Sequence, residues 1–209
     1  MLSSLLPSVL FSIATTVTPV ATQATANVAL DTTVAVTAAH SLALDLKTGG
    51  SVKITGGVDK VVRIHVTENG RECTDCKVEL EQTSDGIQLR SRRTAMSGSP
   101  ANLVFEIEVP AHFDLDVTSA GGEMQIEGVD GQIKGATESG ALTLRRLSGA
   151  IDLQTARGDI TLRESYVSGR VHTLGGRVLL EDVTGNVDGS SASGKVTERR
   201  VTRVDSAGV

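Results

Sequence analysis

The chain has 209 residues, 22 of them glycine, with no tryptophan, one tyrosine, three phenylalanines and a formal net charge of −5. That length fits one domain with a short appendage, and a core without aromatics must be built from Val, Ile, Leu and Ala, residues suited to stacked strands. The acidic balance and the scattered Lys and Arg residues exclude an overall attraction to nucleic acid and a polybasic membrane patch.

Residues 1–26 carry no charge and read MLSSLLPSVLFSIATTVTPVATQATA. The apolar stretch from Leu5 to Val17, followed by the small-x-small run Ala24-Thr25-Ala26, predicts a signal peptide with the mature chain starting near Asn27. No basic residue precedes the apolar stretch, so a retained anchor is the alternative. Pro7, Pro19 and the threonines argue against a stable span, and no transmembrane segment is expected in the mature chain.

Residues 27–112 read as the N-terminal β part of the domain. Apolar and polar residues alternate through Leu42-x-Leu44-x-Leu46, Val52-x-Ile54, Val62-x-Ile64-x-Val66, Val78-x-Leu80, Ile87-x-Leu89 and Phe105-x-Ile107-x-Val109, the period of half-buried strands. Gly49-Gly50-Ser51-Val52 resembles the motif that repeats further on, and 92–102 has the composition of a loop. Cys73 and Cys76 follow Asn69-Gly70 between two of these alternating runs, which places them at a predicted hairpin tip. In an oxidising compartment a disulfide is the default for such a pair. A redox pair or a metal site completed by His65 is the alternative, though no helix N-terminus is expected to lower a thiol pKa and no second ligand pair is spaced for zinc.

From 113 to 209 the chain repeats. Gly122, Gly140, Gly158, Gly176 and Gly194 stand 18 residues apart without a slip. Three residues before each is Ser119, Thr137, Thr155, Thr173 or Ser191, and two after each is Met124, Leu142, Ile160, Val178 or Val196. A fixed period near 20 residues with alternation inside it predicts an all-β, parallel β-solenoid (β-helix-like) of 18-residue coils, each with two short strands. Five coils at about 4.8 Å make a rod on the order of 25 Å long.

The same register arranges charges. One outward column reads Asp116, Lys134, Asp152, Arg170, Asp188, changing sign at every step, and a second reads Glu127, Arg145, Arg163, Glu181, Arg199 with one like pair. Exposed ion pairs contribute only about 0.2–1 kcal/mol each, so their weight is in fixing register. The last repeat, Gly189-Ser190-Ser191-Ala192-Ser193-Gly194 with Lys195, Glu198, Arg199 and Arg200, has the polarity of a terminal cap.

Other candidates have plainer readings. Arg157-Gly158-Asp159 spells an integrin-binding tripeptide, but its glycine already belongs to the repeat. His40, His65, His112 and His172 are scattered without metal-ligand spacing, and the acidic residues alternate with basic ones, which disfavours a calcium cage. No catalytic, cofactor or metal site is predicted.

The strand ending Val109-Pro110-Ala111, the run Leu115-Asp116-Val117-Thr118-Ser119-Ala120-Gly121-Gly122 and the repeating G-x-I-x-x-x-T-x-x-G-x-I-x-L pattern resemble the bacterial putative-adhesin β-solenoid domain family. The resemblance covers roughly residues 40–200. It implies an exported or envelope-associated protein, often of unknown function, with no established catalytic residues to carry over. The regular ladder without a catalytic constellation points to a non-enzymatic structural or interaction module of the periplasm or cell surface, whose partner is an envelope or surface protein, with a glycan-binding or glycan-active role, or a redox role through Cys73 and Cys76, as alternatives.

Overall fold

The computed structural model describes residues 30–36, 41–57, 60–68, 76–83, 86–94 and 103–204. The described residues are all-β and contain no helix. Sixteen strands join in one mixed sheet: β1 (Leu30–Ala35), β2 (Ser41–Leu46), β3 (Ser51–Gly57), β4 (Val61–Glu68), β5 (Cys76–Gln82), β6 (Ile87–Arg93), β7 (Leu103–Pro110), β8 (Asp114–Ser119), β9 (Met124–Glu127), β10 (Asp130–Thr137), β11 (Leu142–Arg145), β12 (Ser148–Thr155), β13 (Ile160–Thr173), β14 (Val178–Thr184), β15 (Val187–Ser191) and β16 (Val196–Thr202).

From β8 onward every pairing between these repeat strands is parallel and joins residues 18 apart. Leu142 stands between Met124 and Ile160, and Asp152 between Lys134 and Arg170. Two ladders result. One runs β9-β11-β13-β14-β16 and the other β8-β10-β12-β13-β15. The 14-residue β13 belongs to both, pairing with β11 and β14 through its first half and with β12 and β15 through its second. Along β8, β9, β11 and the opening residues of β13 and β14 burial alternates with a period of two. The columns Met124-Leu142-Ile160-Val178 and Ile126-Leu144-Leu162-Leu180 are therefore buried end to end. Each such side chain contributes roughly 1.5–3 kcal/mol when fully buried, and the neighbours needed to bury it come from adjacent repeats.

The N-terminal half extends both ladders. β2 pairs in parallel with β8, and β3 with β9. β6 and β7 then lie in parallel on the far sides of β2 and β3. The earlier strands are thus flanked on both sides by later ones. Beyond β6 and β7 the direction changes: β5 is antiparallel to β6, β4 to β7, and β1 to β4. These pairings correct the hairpin expected between the runs before and after the cysteines. β4 and β5 do not pair with each other but lie in different ladders. The alternation was the same in either arrangement, so it could not choose between them.

Two kinds of turn connect the ladders. At one, glycines stack on one another's carbonyls. A Cβ built on Gly140 would lie 1.9 Å from the Gly122 oxygen, one on Gly158 would lie 2.0 Å from the Gly140 oxygen, and one on Gly176 or Gly194 would lie 1.8 Å from the oxygen of the preceding glycine. Gly122 stacks in the same way on Gly50, at 2.0 Å. At the other corner, the residue that takes positive φ is Gly128 (φ 71) and then, at the same 18-residue interval, Arg146 (φ 50), Glu164 (φ 50), Asp182 (φ 56) and Arg200 (φ 51).

In the later repeats the hydroxyls of Thr155, Thr173 and Ser191 reach the glycine carbonyl one repeat back, whereas those of Ser119 and Thr137 bond within their own turns. Thr173 Oγ1 donates to the Gly158 carbonyl at 2.9 Å and accepts from Gly176 N at 3.0 Å. Ser191 Oγ repeats the arrangement with Gly176 O (2.6 Å) and Gly194 N (2.8 Å). A buried hydroxyl that serves two backbone groups in neighbouring repeats satisfies polar atoms that the tight turn leaves unpaired.

Candidate functional site

Side chains that point away from the core on β2, β8, β10, β12, the second half of β13 and β15 form a continuous face. Down its centre runs the predicted charge column, with Lys134 set between Asp116 and Asp152, and Arg170 between Asp152 and Asp188. Arg170 closes a bidentate pair on Asp152, with both bonds at 2.8 Å. That hydrogen bonding holds the Asp152 carboxyl below its ordinary value, with the charge of Lys134 adding to the effect.

Beside this column lies a groove of about 720 Å³. Its lining alternates between two neighbouring columns: Thr118, Ala136, Gln154 and His172 on the strands, then Ala120, Glu138, Ala156 and Leu174 at the turn, with Asp45 and Lys47 at one end. His172 Nδ1 lies 2.9 Å from Ser190 Oγ, one repeat along. Leu174 is 54% exposed. The groove crosses the strands and draws on five of them, so its features recur at the interstrand spacing of about 4.8 Å.

The opposite ladder carries the second predicted column. Its like pair, Arg145 beside Arg163, is separated by chemistry that the column alone does not contain. Arg145 turns to Glu164 at the corner through bonds of 2.9 and 3.0 Å, while Arg163 Nε reaches Glu181 at 3.1 Å. Arg146 pairs with Glu127 at 2.6 Å, and Arg200 makes two bonds to Asp182, one of them at 2.7 Å. The arginine partners hold the carboxyls of Glu164 and Asp182 below their ordinary values. The corner column Arg146, Glu164, Asp182 and Arg200 escaped the sequence reading as a column; Arg200 figures there only as part of the polar cap. All four are charged but of mixed sign, and their spacing is the same 18 residues.

The remaining candidates fall as follows. In Arg157-Gly158-Asp159, the Arg157 carbonyl accepts from Gly140 N at 2.7 Å. Asp159 accepts the backbone N–H of Arg177 at 2.8 Å and its guanidinium at 2.9 Å, both of which lower its pKa. The tripeptide is thereby fixed in a packed turn. His65 lies 3.8 Å from Asp31, and His112 lies 2.9 Å from Asp130. His40 and Cys73 lie outside the described residues. Cys76 is buried at the start of β5, opposite Arg93. Among the described residues no group of three His, Cys, Asp or Glu side chains is placed to hold a metal, and no helix is long and apolar enough to cross a membrane.

By its architecture this is an all-β protein of mostly parallel strands, cross-linked between neighbours by ion pairs. No family model matches the chain, and no curated protein does. Among solved structures it is similar to one described as a putative cell adhesion protein from Clostridium sporogenes, at 10% identity and a TM-score of 0.40 over 82% of this chain and 99% of that one.

Proposed function

We propose that the chain is an exported, non-catalytic structural or interaction module of the bacterial cell envelope, in the periplasm or on the surface, built as a parallel β-solenoid of 18-residue coils. What supports the solenoid reading is the constant 18-residue offset of the parallel pairs on both ladders. The observation that carries the functional reading is where the charged groups are engaged. Asp152, Asp159, Glu164 and Asp182 each pair with an arginine 18 or 19 residues away, so these carboxylates serve stacking between coils. A protein partner of the envelope would meet a face of fixed, periodic polar groups. A bridge between Cys73 and Cys76 is part of this proposal, because export exposes the pair to an oxidising compartment.

The test is capture from envelope extract with the purified chain from Asn27 onward, under non-reducing conditions. The expected result is a specific envelope protein whose capture is lost when residues of the grooved face are changed. The second reading, glycan binding, is favoured by the open groove that crosses five strands. A polysaccharide panel that gave saturable binding, with no protein captured, would replace the first reading with the second.

A further inference from the structure

The grooved face is complementary to itself. The central column reads Asp116, Lys134, Asp152, Arg170 along four successive strands. When two copies are laid face to face with stacking directions opposed, about a two-fold axis parallel to the strands between Lys134 and Asp152, each strand meets its counterpart in reverse order. Asp116 then faces Arg170 of the second copy, and Lys134 faces Asp152 of the second copy. The remaining charge, Asp188, faces the small side chain of Ala43, which follows Asp116 on β2. No like charges meet. A two-fold axis along the stacking direction would instead set every charge against itself.

Size follows the same reversal. In the next column Ala136 meets Gln154 of the second copy, a small residue against a long one. In the turn column Ala120 meets Leu174 of the second copy. Leu174 is one of the few large apolar side chains left exposed among the described residues, and Ala120 belongs to the groove lining. The pairing therefore sets each copy's exposed leucine against the alanine of the other copy's groove. Six strands about 4.8 Å apart and seven residues of about 3.3 Å give a footprint of roughly 650 Å² per copy. Roughly 1,300 Å² in all lies at the small end of specific interfaces.

We propose that this face is a homodimer interface, in which a second copy of the chain docks antiparallel through the Asp116–Arg170 column. Because the electrostatic part of the contact is made of exposed charges, the dimer dissociates readily and weakens with salt. The inference uses the same face as the envelope-module reading, so the dimer opens where an envelope partner docks; its test concerns association of the purified chain alone and does not depend on that reading.

The test is sedimentation velocity of the full-length chain over a concentration series up to about 0.5 mM, a range suited to an interface of this size, at low and at high salt. The expected result is a monomer–dimer equilibrium whose dissociation constant rises with salt. Arg170→Asp and Asp116→Arg each set like charges across the axis and should each raise that constant at least about ten-fold. Mixed one to one, the two variants restore opposite charges at both contacts and should form a heterodimer of near wild-type affinity. Leu174→Glu, at an exposed site, should also dissociate the dimer while far-UV circular dichroism stays unchanged. A wild-type chain that remains monomeric throughout would overturn the proposal. So would a dimer indifferent to Leu174→Glu, or folded single variants whose mixture fails to associate.

Discussion

Replacing Gly140 by alanine perturbs the stacked turns at one atom. The residue has φ +115, where side-chain-bearing L-residues are strained, at a cost of about 1–3 kcal/mol. The added Cβ would sit 1.9 Å from the Gly122 oxygen and 2.5 Å from its carbonyl carbon. Real Cβ atoms keep at least 3.0 Å from such neighbours, so one turn must move by more than an ångström. Gly122 cannot simply retreat, because it lies against Gly50 on its other side. Forcing bulk into a packed site typically costs a further ~1–3 kcal/mol. The sum, about 2–6 kcal/mol, is a large part of the stability of an ordinary domain. Gly57→Ala is the internal control. It has no positive φ, and the nearest atom to its Cβ would be the Val109 oxygen at 3.7 Å. Its expected effect is within about 1 kcal/mol of zero, because the alanine also restricts the unfolded chain. Urea unfolding followed by far-UV circular dichroism, with the transition slope checked for constancy, separates the two. If both variants unfold within about 1 kcal/mol of the wild type, the close glycine stacking described here is wrong.

Thr173→Val keeps shape but removes the hydroxyl that bridges Gly158 O and Gly176 N. Thr173 is fully buried, so a loss of about 1–3 kcal/mol is expected in the same urea assay, and no loss would mean that the bridge is dispensable. At the other corner, Arg146→Val and Arg146→Asn both remove the pair with Glu127, so their difference isolates the backbone. The valine variant should be less stable by about 1–2 kcal/mol, because a branched side chain resists positive φ and asparagine accepts it. Acid should weaken the protein through its depressed carboxyls. The Glu79 carboxyl is held down to about 2 by hydrogen bonds from Lys77 and then Arg92. A folded pKa below the unfolded value of 4.5 means that its contribution is fully present above about pH 4.5 and is lost as pH falls toward 2. Glu79→Gln should flatten the pH dependence of stability across that interval, and an unchanged slope would show that the carboxyl is not held this way.

What the sequence disclosed depended on whether a constraint acts on residue type or only on geometry. The column from Gly122 to Gly194 was legible because the close stacking excludes every side chain, which leaves one residue type to find. The hydroxyl column was legible for a similar reason: the turn needs a short group that both donates and accepts, as Thr173 does. The corner at Gly128, Arg146, Glu164, Asp182 and Arg200 imposes only a positive φ, which charged residues tolerate at a cost, so composition carries no trace of it. The charge columns could be read in register but not in pairing. Arg145 reaches sideways to Glu164 instead of along its own column. The placement of β4, β5, β6 and β7 was not legible at all. Alternation reports that one face of a strand is buried and is silent about which neighbour the strand pairs with.

That placement has a consequence for how the chain assembles. β2 is bordered by β6 and β8, and β3 by β7 and β9. The repeat made by β2 and β3 is thus an interior one: its backbone gains sheet partners on one side from residues 87–110, and is bordered on both sides only when the chain has grown through residue 127. From that point a nucleus exists with two growing ends. One is completed by the antiparallel strands, and the other advances one 18-residue step at a time toward β16. Lesions on the two sides of β2 and β3 should then differ in kind. Those in β6 to β9 delay the nucleus and slow folding, whereas those beyond β11 leave its rate intact and shorten the life of the folded state.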